Sequence, residues 1–474
     1  MKNALSAGFL ECAERHGLAH DEVKRQLDRL LSTPVTAVPD LPCTLGAGIR
    51  RMGASELATM ADLGVQLPTQ RVVRFVPASG AASRMFKSIL SRDPLAMSQL
   101  DHHWASFPFR QLAESSAPCK TKEERWKAVV EVLGLPNLLK GALDFHVENG
   151  QVRTAFDAQL VEWSQTLSAE GARIHFTLPL DAFDAQLRKI QRSAKALGLS
   201  VDASVQDPST DTIAIGMDNR PFLKEDGSPL FRPGGHGALL HNLTAIGKSN
   251  PGALVSIKNI DNVRPESAMD EVLPWRRALL GLADALDQSR LHALKALNEG
   301  HVAPAQNWLI QGPLHPMEKP SSELGELRRA LDRPLLVAGM VPNEGEPGGG
   351  PFWLRDDEGV LRSQIVESAE MDLTQPAVRD CIAATTHFNP VDLVCALHSS
   401  DGQPYSLGEF VDVRRDFVVS KSHQNRPLRA LEHPGLWNGA MGRWNTVFVE
   451  VDSATFAPVK TLFDLLRPSH RSTK

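Results

Sequence analysis

Short apolar runs alternate with amphipathic stretches along most of the chain. The short runs are rich in Val, Ile and Leu and are bounded by Gly, Pro, Asn or Asp, as is typical of buried strands. These predicted strands are 71–76, 173–178, 201–206, 212–215, 253–257, 335–341, 363–367 and 446–451. Helical spacing of apolar residues predicts helices over 122–133, 157–168, 182–197 and 269–297. This alternation predicts an α/β fold with a mixed, mainly parallel sheet flanked by helices.

The first 66 residues have a different pattern. They are amphipathic and predicted to be helical, with Val23, Leu27, Leu30 and Leu31 on one face, before a Pro-containing stretch at 34–42. We therefore expect a helical N-terminal extension over 1–66, a catalytic domain over 67–466 and a C-terminal tail over 467–474. The glycine-rich segment 343–350 is interpreted as a loop inside that domain.

The motif pair RPGGHG and VSIKNIDN, between Arg232 and Asn262, is the strongest chemical signal. The first motif is a glycine loop whose backbone amides could contact a ligand directly, because glycine has no side chain to cover them. The second is an apolar strand that ends near Asp261, and ligand-binding groups in open α/β sheets follow the carboxyl ends of strands. A carboxylate there suits Mg²⁺. The alternative is a tight turn followed by an Asx-rich strand end.

A second loop follows the first predicted strand, in VVRFVPASGAASRMFK. Gly80 stands at a sharp turn, and small residues let the backbone approach a phosphate chain. Arg84 and Lys87 on the following helix would add full positive charges toward phosphate oxygens. A plain strand-to-helix connection is the alternative.

Composition narrows the class of protein. A formal net charge of −5 over 474 residues argues against a nucleic-acid binder. Five scattered cysteines without a CxxC pair suit a reducing cytoplasm and give no zinc site. No signal peptide and no long apolar run is visible, so we expect a cytoplasmic protein without a membrane partner.

The chain resembles nucleotide-sugar pyrophosphorylases, in particular UTP–glucose-1-phosphate uridylyltransferases and related UDP-sugar pyrophosphorylases of the glycosyltransferase-A-like fold. GAASRM is similar to their G-x-G-T-R-M loop, RPGGHG to P-P-G-H-G-D, and KNIDN to S-N-I-D-N. EPGGGPFW with RSQIVESAEMD, HFNPVD, and FAPVKT with DLL resemble three further blocks in the same order. The sequence as a whole resembles those of the bacterial DUF4301 proteins.

The resemblance implies a role for each matching residue. The nucleotide would be bound by Gly80, Ala81, Ser83, Lys87, Gly235 and His236. Arg84, Asp261 and Lys460 would be catalytic, with Asp261 as the Mg²⁺ ligand. Sugar hydroxyls would be bound by Gly349, Gly350, Glu367 and Asn389.

Four departures from the family pattern affect this assignment. Lys87 lies closer to Arg84 than the family's loop lysine does, and Pro390 with Val391 replaces polar residues. The other two are alanines. Ala82 replaces a loop glycine, which requires a negative φ at that position. Ala238 replaces an aspartate, and one polar contact is lost with it. The acceptor therefore need not be glucose 1-phosphate.

We expect a Mg²⁺-dependent nucleotidyltransferase that joins an NTP, with UTP favoured, to a sugar 1-phosphate. Alternatives in the same class are cytidylyl transfer and a non-sugar phosphate acceptor. A catalytically silent nucleotide- or sugar-binding protein is a third possibility. A hydrolase using GGHG as an oxyanion loop would need a G-x-S-x-G elbow, which the sequence lacks.

Overall fold

The computed structural model describes residues 5–32, 36–168, 170–345, 348–356, 358–424 and 426–471. The helices are α1 (Ala7–His16), α2 (His20–Leu31), α3 (Ala54–Val65), α4 (Lys87–Leu90), α5 (Pro94–His102), α6 (Arg110–Ser116), α7 (Lys122–Lys127), α8 (Ala155–Thr166), α9 (Phe183–Ala196), α10 (Ala238–Ser249), α11 (Met269–Asn298), α12 (Ala303–Gln311), α13 (Leu324–Leu331) and α14 (Pro376–Ala383).

The strands of the first half of the chain are β1 (Leu41–Pro42), β2 (Thr44–Leu45), β3 (Gly48–Arg50), β4 (Val72–Pro77), β5 (Asp144–Glu148), β6 (Gln151–Thr154), β7 (Arg173–Thr177), β8 (Ser200–Ser204) and β9 (Asp211–Gly216). Those of the second half are β10 (Phe231–Pro233), β11 (Leu254–Ile257), β12 (Leu335–Pro342), β13 (Gly350–Arg355), β14 (Leu361–Val366), β15 (His387–Ala396), β16 (Phe417–His423), β17 (Arg426–Glu432) and β18 (Asn445–Glu450).

A central sheet organises the described part of the chain. Its order is β2-β3-β18-β12-β15-β11-β4-β7-β8, and every neighbouring pair is parallel except the two that involve β15. Along β4, Val72 and Val76 face one core while Val73 and Phe75 face the other, so the strand is covered on both sides. Helices α8, α9 and α11 pack on the first face and α10 on the second. The fold is a mixed α/β sheet flanked by helices.

The sheet fixes where the site lies. β4 and β11 are parallel neighbours, with Phe75 opposite Ile257. The loop that contains Gly80 and the segment that contains Asp261 therefore leave the sheet at the same edge. β12 and β18 also end at this edge, because they run parallel to each other and antiparallel to β15. Side chains from distant parts of the sequence can thus meet there.

Smaller sheets complete the fold. An antiparallel sheet has the order β10-β9-β17-β16, a second has the order β1-β13-β14, and β5 pairs with β6. Helices α1 and α2 bury Phe9, Val23 and Leu27 against Ile213 and Leu431 of the first of these sheets.

The predicted strands and helices agree with the observed ones to within two residues at each end. Segment 122–133 is α7 followed by a π-helical turn at Ala128–Val132. Two expectations for the N-terminal segment were wrong. Residues 41–50 contain strands rather than helix, and Leu31 is 41% exposed instead of sharing the buried face. The domain limits at 66 and 466 stay a prediction.

The described residues of the tail include a buried His470 that stacks on His146 of β5. Among the described helices, none is long and apolar enough to cross a membrane.

Candidate functional site

The loop after β4 is clamped by a second segment. The Ala82 amide donates to the Leu138 carbonyl over 2.9 Å, and the Lys140 amide donates to the Gly80 carbonyl over 3.0 Å. Ala82 is buried and keeps a negative φ, as its replacement of glycine requires. Its amide is engaged in this clamp. The amides of Gly80 and Ala81 have no acceptor in the described part of the chain, so they are the pair that can receive an anion.

Three polar side chains follow this pair. Ser83 and Arg84 are exposed in the 3₁₀ turn Ala82–Arg84, and Lys87 is exposed at the start of α4. Neither Arg84 nor Lys87 has an ion-pair partner among the described residues. The loop therefore carries unpaired positive charge next to free amides, which favours an anionic ligand.

Asp261 forms an ion pair that the sequence analysis missed. Lys140 Nζ lies 2.5 Å from Asp261 Oδ2, and each side chain is about one-fifth exposed. Lys140 is thus a site residue that the sequence analysis did not name. Its signal in the sequence is weak: a single lysine in the apolar segment LPNLLKGALDF, where a charge needs a partner.

The segment at residues 459–462 joins Asp261 to the Gly80 loop. The Val459 amide donates to the Asp261 carbonyl over 3.1 Å, and the Leu462 amide donates to the Met85 carbonyl over 3.0 Å. Lys460 lies between these two bonds. The residues predicted to be catalytic therefore come from three distant parts of the sequence and meet at one edge of the sheet.

The Lys460 side chain is exposed, with its Nζ 5.4 Å from the centre of the Phe388 ring. It has no carboxylate within ion-pair distance among the described residues, although its charge lowers the pKa of Glu367. The side chain also borders a cavity of about 350 Å³ together with Phe456 and Asp464.

The glycine loop before α10 packs closely against neighbouring segments. A Cβ on Gly237 would lie 2.4 Å from the Cβ of His433, and one on Gly234 would lie 2.5 Å from the Thr210 carbonyl oxygen. Gly235 has a φ of +71°, which other residues rarely adopt. Gly234 and Gly237 therefore allow the loop to pack closely on Thr210 and His433, and the expectation that the loop amides contact a ligand stays a prediction.

His236 is the part of this loop that faces the site. It is exposed, and its ring centre lies 5.2 Å from that of Trp437. Desolvation by the surrounding protein lowers the pKa of His236. Glu432 and Asp261 raise that pKa and Arg84 lowers it. His236 therefore lies near Glu432, Asp261 and Arg84, and we call the space that these four residues border the cleft.

The residues predicted to bind sugar are partly brought to this cleft. A Cβ on Gly349 would lie 2.1 Å from the Val366 carbonyl oxygen, and Gly350 is buried where β13 pairs with Val366. These two glycines allow the start of β13 to pack closely on the end of β14, which Glu367 follows. Asn389 lies in β15, and its side chain is outside the described part of the structure.

Glu367 belongs to an acidic wall, defined here as Glu367, Glu370 and Glu432. Burial, Glu370 and Glu432 raise the pKa of Glu367 to about 7, and Lys460 opposes this rise. Lys421 Nζ lies 3.1 Å from Glu432. Glu432 was missed because nothing in its local sequence sets it apart. Glu370 is buried and paired with Arg415, so Glu367 and Glu432 are the carboxylates of this wall that hydroxyl groups could reach. The cationic side of the cleft lies around Arg84.

A buried charge network lies beneath the strand that leads to Asp261. Lys258 Nζ lies 2.5 Å from Glu162 Oε2, and Arg276 lies 2.8 Å from Glu162 and 3.2 Å from Asp392. Arg74 of β4 lies 3.6 Å from Glu162. Burial and the charge of Arg276 lower the pKa of Lys258 to about 7. The network joins β4, β11, β15, α8 and α11, and so fixes the two strand ends that carry the site.

The side chains at the site fit Mg²⁺ binding through a single carboxylate. No group of three or more His, Cys, Asp or Glu side chains that could hold a metal ion occurs among the described residues. Asp261 shares one oxygen with Lys140, which leaves the other oxygen for a ligand. Mg²⁺ commonly binds through one or two carboxylates together with substrate phosphates. Asp261 can supply this single carboxylate.

The family model described as "Domain of unknown function (DUF4301)" matches residues 9–471. The chain belongs to this family. No curated protein matches the sequence of this DUF4301 protein.

Solved structures are similar to it in fold. The uridine diphosphate N-acetylglucosamine pyrophosphorylase from Trypanosoma brucei, in complex with inhibitor, is 13% identical and has a TM-score of 0.53, with coverage of 96% of this chain and 75% of that one. A point mutant of the UDP-glucose pyrophosphorylase from Leishmania major, in complex with UDP-glucose, is 13% identical and has a TM-score of 0.50, with 98% and 79% covered. The DUF4301 protein shares their fold.

Proposed function

We propose that the DUF4301 protein is a nucleotidyltransferase that forms a nucleoside-diphosphate sugar and pyrophosphate from an NTP and a sugar 1-phosphate. UTP is the favoured nucleotide. The observation that carries the proposal is the pair of bonds from Val459 to Asp261 and from Leu462 to Met85, which brings Lys460 between the Gly80 loop and Asp261. The likeness in fold to UDP-sugar pyrophosphorylases supports it, and we assign the fold to the glycosyltransferase-A-like class on that basis.

The Gly80 loop would bind the triphosphate. The amides of Gly80 and Ala81 and the hydroxyl of Ser83 would donate to phosphate oxygens, and Arg84 would stabilise the charge on the leaving pyrophosphate. Lys87 lies one turn further and would add longer-range positive charge. Donors that are fixed before the reaction stabilise developing charge without reorganisation.

In the reaction, an oxygen of the sugar phosphate attacks the α-phosphorus of the NTP in line. The bond from the α-phosphorus to the bridging oxygen breaks, and pyrophosphate leaves with its electron pair. No covalent intermediate with the protein is needed, so positioning and charge stabilisation perform the catalysis. Lys460 would neutralise charge on the sugar phosphate or the α-phosphate, and Lys140 would hold Asp261 in position.

Mg²⁺ is the implied cofactor, with Asp261 as its protein ligand. When bound, it would neutralise phosphate charge and orient the phosphate groups. Gly235 and His236 would lie against the base or ribose. The acidic wall would accept hydrogen bonds from sugar hydroxyls, with Gly349 and Gly350 supporting Glu367 and with Asn389 as a further donor. A cytoplasmic location stays a prediction.

Cytidylyl transfer, a non-sugar phosphate acceptor and silent binding remain the alternatives to this proposal. A pyrophosphate-release assay with four NTPs against a panel of sugar 1-phosphates and non-sugar phosphates, with and without Mg²⁺, separates them. We expect release with at least one pair and loss of most turnover in Asp261→Asn. Binding without release in every pair would identify a silent binder, and full activity of Asp261→Asn would remove Asp261 from the mechanism.

A further inference from the structure

A second set of cavities lies at the opposite end of the central sheet. Two adjoining cavities of about 450 Å³ each share Arg329, Arg333 and Glu358. We call this pair of cavities the arginine basin. Asn445, the first residue of β18, borders it, so the basin lies where β12 and β18 begin. β12 has eight residues and separates it from the candidate site by roughly 25 Å.

The basin has the size and the kind of lining residues that are typical of a small-molecule site. Its volume lies within the range of roughly 300–1,000 Å³ that such sites occupy. One part is apolar, with Leu314, Leu327 and Leu361 on its surface, and the rest is lined by charged side chains of both signs, in equal number. An apolar surface beside a few converging charges is the usual arrangement for binding an organic anion.

Arg333 is the central charge of the basin. Its Nε donates to the Arg329 carbonyl over 2.7 Å, which fixes the side chain and leaves the terminal nitrogens for another acceptor. No carboxylate lies within ion-pair distance of Arg333 among the described residues, whereas the nearby Arg362 is paired with Asp356 over 2.5 Å. Burial and the charges of Arg362 and Arg443 lower the pKa of Arg333 to about 10, which Glu358 and Asp356 oppose. A desolvated guanidinium among like charges is stabilised by an added anion.

The chemistry of the walls selects the kind of anion. A guanidinium presents two parallel donors that match phosphate oxygens, and Arg329 adds a second positive charge at the shared wall. Glu318 and Glu358 in the same basin can accept bonds from hydroxyl groups. We propose that the arginine basin binds a phosphate monoester that has a hydroxylated body, the size of a sugar phosphate or a nucleoside monophosphate, at a site separate from the candidate active site.

Isothermal titration calorimetry of the full chain tests this proposal. The probes are inorganic phosphate, glucose 6-phosphate and UMP, which distinguish a bare phosphate site from one that also recognises a sugar or a nucleoside. We expect one of the two esters to bind at least tenfold more tightly than inorganic phosphate, because only the esters reach the apolar and acidic walls. We expect Arg333→Gln to weaken that binding at least tenfold and Arg333→Lys to weaken it less.

Three further variants make the result specific. Arg192→Gln, at an exposed position on α9, is the matched control and should bind like the wild type. Arg84→Gln should keep the binding if the ligand is in the basin. Arg329→Gln, at an exposed position, gives a second test if Arg333→Gln fails to fold. Absence of binding by all three probes, or equal binding by Arg333→Gln and wild type, would overturn the proposal without bearing on nucleotidyl transfer. Loss of the binding in Arg84→Gln would overturn it by placing the ligand at the candidate active site instead.

Discussion

Lys140 Nζ lies 2.5 Å from Asp261 Oδ2, although 121 positions separate the two residues in the sequence. The backbone of the same lysine donates to the Gly80 carbonyl. Lys140 therefore holds both halves of the proposed phosphate and metal site. Its ammonium neutralises Asp261 and fixes that carboxylate next to the Gly80 loop.

We expect Lys140→Met to lower kcat/KM for nucleotidyl transfer by roughly 10²–10³-fold, in line with the loss of one fixed donor. The backbone clamp does not depend on the side chain, so the thermal midpoint should change little. Lys189→Met, at an exposed position on α9, is the matched control. Steady-state kinetics of pyrophosphate release measure the effect. Wild-type kinetics in Lys140→Met would show that its bond to Asp261 is only structural.

Arg84 is expected to act on the leaving pyrophosphate. Arg84→Ala should lower kcat by roughly 10²–10³-fold. Arg84→Lys should recover only part of this loss, because a lysine cannot make the two parallel bonds of a guanidinium. Single-turnover measurements at saturating substrate isolate kcat from binding. Full recovery with lysine would contradict the bidentate contact and leave charge alone as the explanation.

Lys460 offers a test of which substrate it contacts. It lies between the bonds that join residues 459–462 to Asp261 and to Met85, and its charge reaches Glu367 on the acidic wall. Lys460→Ala should therefore raise KM for the sugar phosphate more than KM for the NTP. Lys421→Ala, which removes the partner of Glu432, serves as the comparison on the same wall. An equal rise for both substrates would show that Lys460 does not discriminate between them.

The buried network beneath Asp261 predicts an unequal cost for two neutralising changes. Below pH 7, where Lys258 is protonated, three positive charges (Arg74, Lys258, Arg276) face two negative ones (Glu162, Asp392), so the formal sum is +1. Lys258→Met brings the sum to 0, whereas Glu162→Gln brings it to +2.

We expect Glu162→Gln to lower the free energy of unfolding by about 3–5 kcal/mol, as breaking a buried ion pair does, and Lys258→Met to cost clearly less. Urea denaturation followed by tryptophan fluorescence measures both. A larger cost for Lys258→Met than for Glu162→Gln would contradict this account.

The sequence was sufficient to predict the strands and helices whose apolar residues follow a regular pattern. β4 and β11 are short apolar runs buried on both faces, and α11 has a long helical period, so all three were predicted within two residues. β15 was missed although it lies in the middle of the sheet. Pro390 inside it argues against a central strand, and the structure accommodates that proline at an irregularity where Met340 pairs with it.

The site was predictable only where its residues follow strands that have a regular pattern. Asp261 and Gly80 follow buried strands, so strand order alone brings them together. Glu432 and Lys140 enter the cleft through tertiary contacts between segments that lack a local signature. The close packing of the glycines before α10 was likewise not predictable, because the approach of Gly237 to His433 is a tertiary contact. The roles assigned to individual site residues stay predictions.

The stacked pair His146 and His470 predicts a pH-dependent stability. Their ring centres lie 5.3 Å apart, and His146 Nε2 lies 3.1 Å from His470 Nδ1. Burial lowers the pKa of His146 to about 3 and that of His470 to about 4, from an ordinary value of 6.5. Below pH 6.5 the unfolded chain therefore binds protons that the folded chain excludes, and the pair's contribution to stability is lost as the pH falls toward 4.

Each ring then contributes a loss of up to about 1.4 kcal/mol per pH unit. Asp144 and Glu367 act in the opposite direction, because burial raises their pKa values to about 6 and about 7, so they favour the folded state as the pH falls through those values. The wild-type curve alone cannot isolate the histidines, but a comparison with His146→Leu/His470→Leu can. We expect the stability difference between wild type and this double variant to shift toward the variant between about pH 6.5 and 4.5, in urea denaturation at each pH. Parallel curves over that range would show that the two rings do not exclude protons in the folded protein.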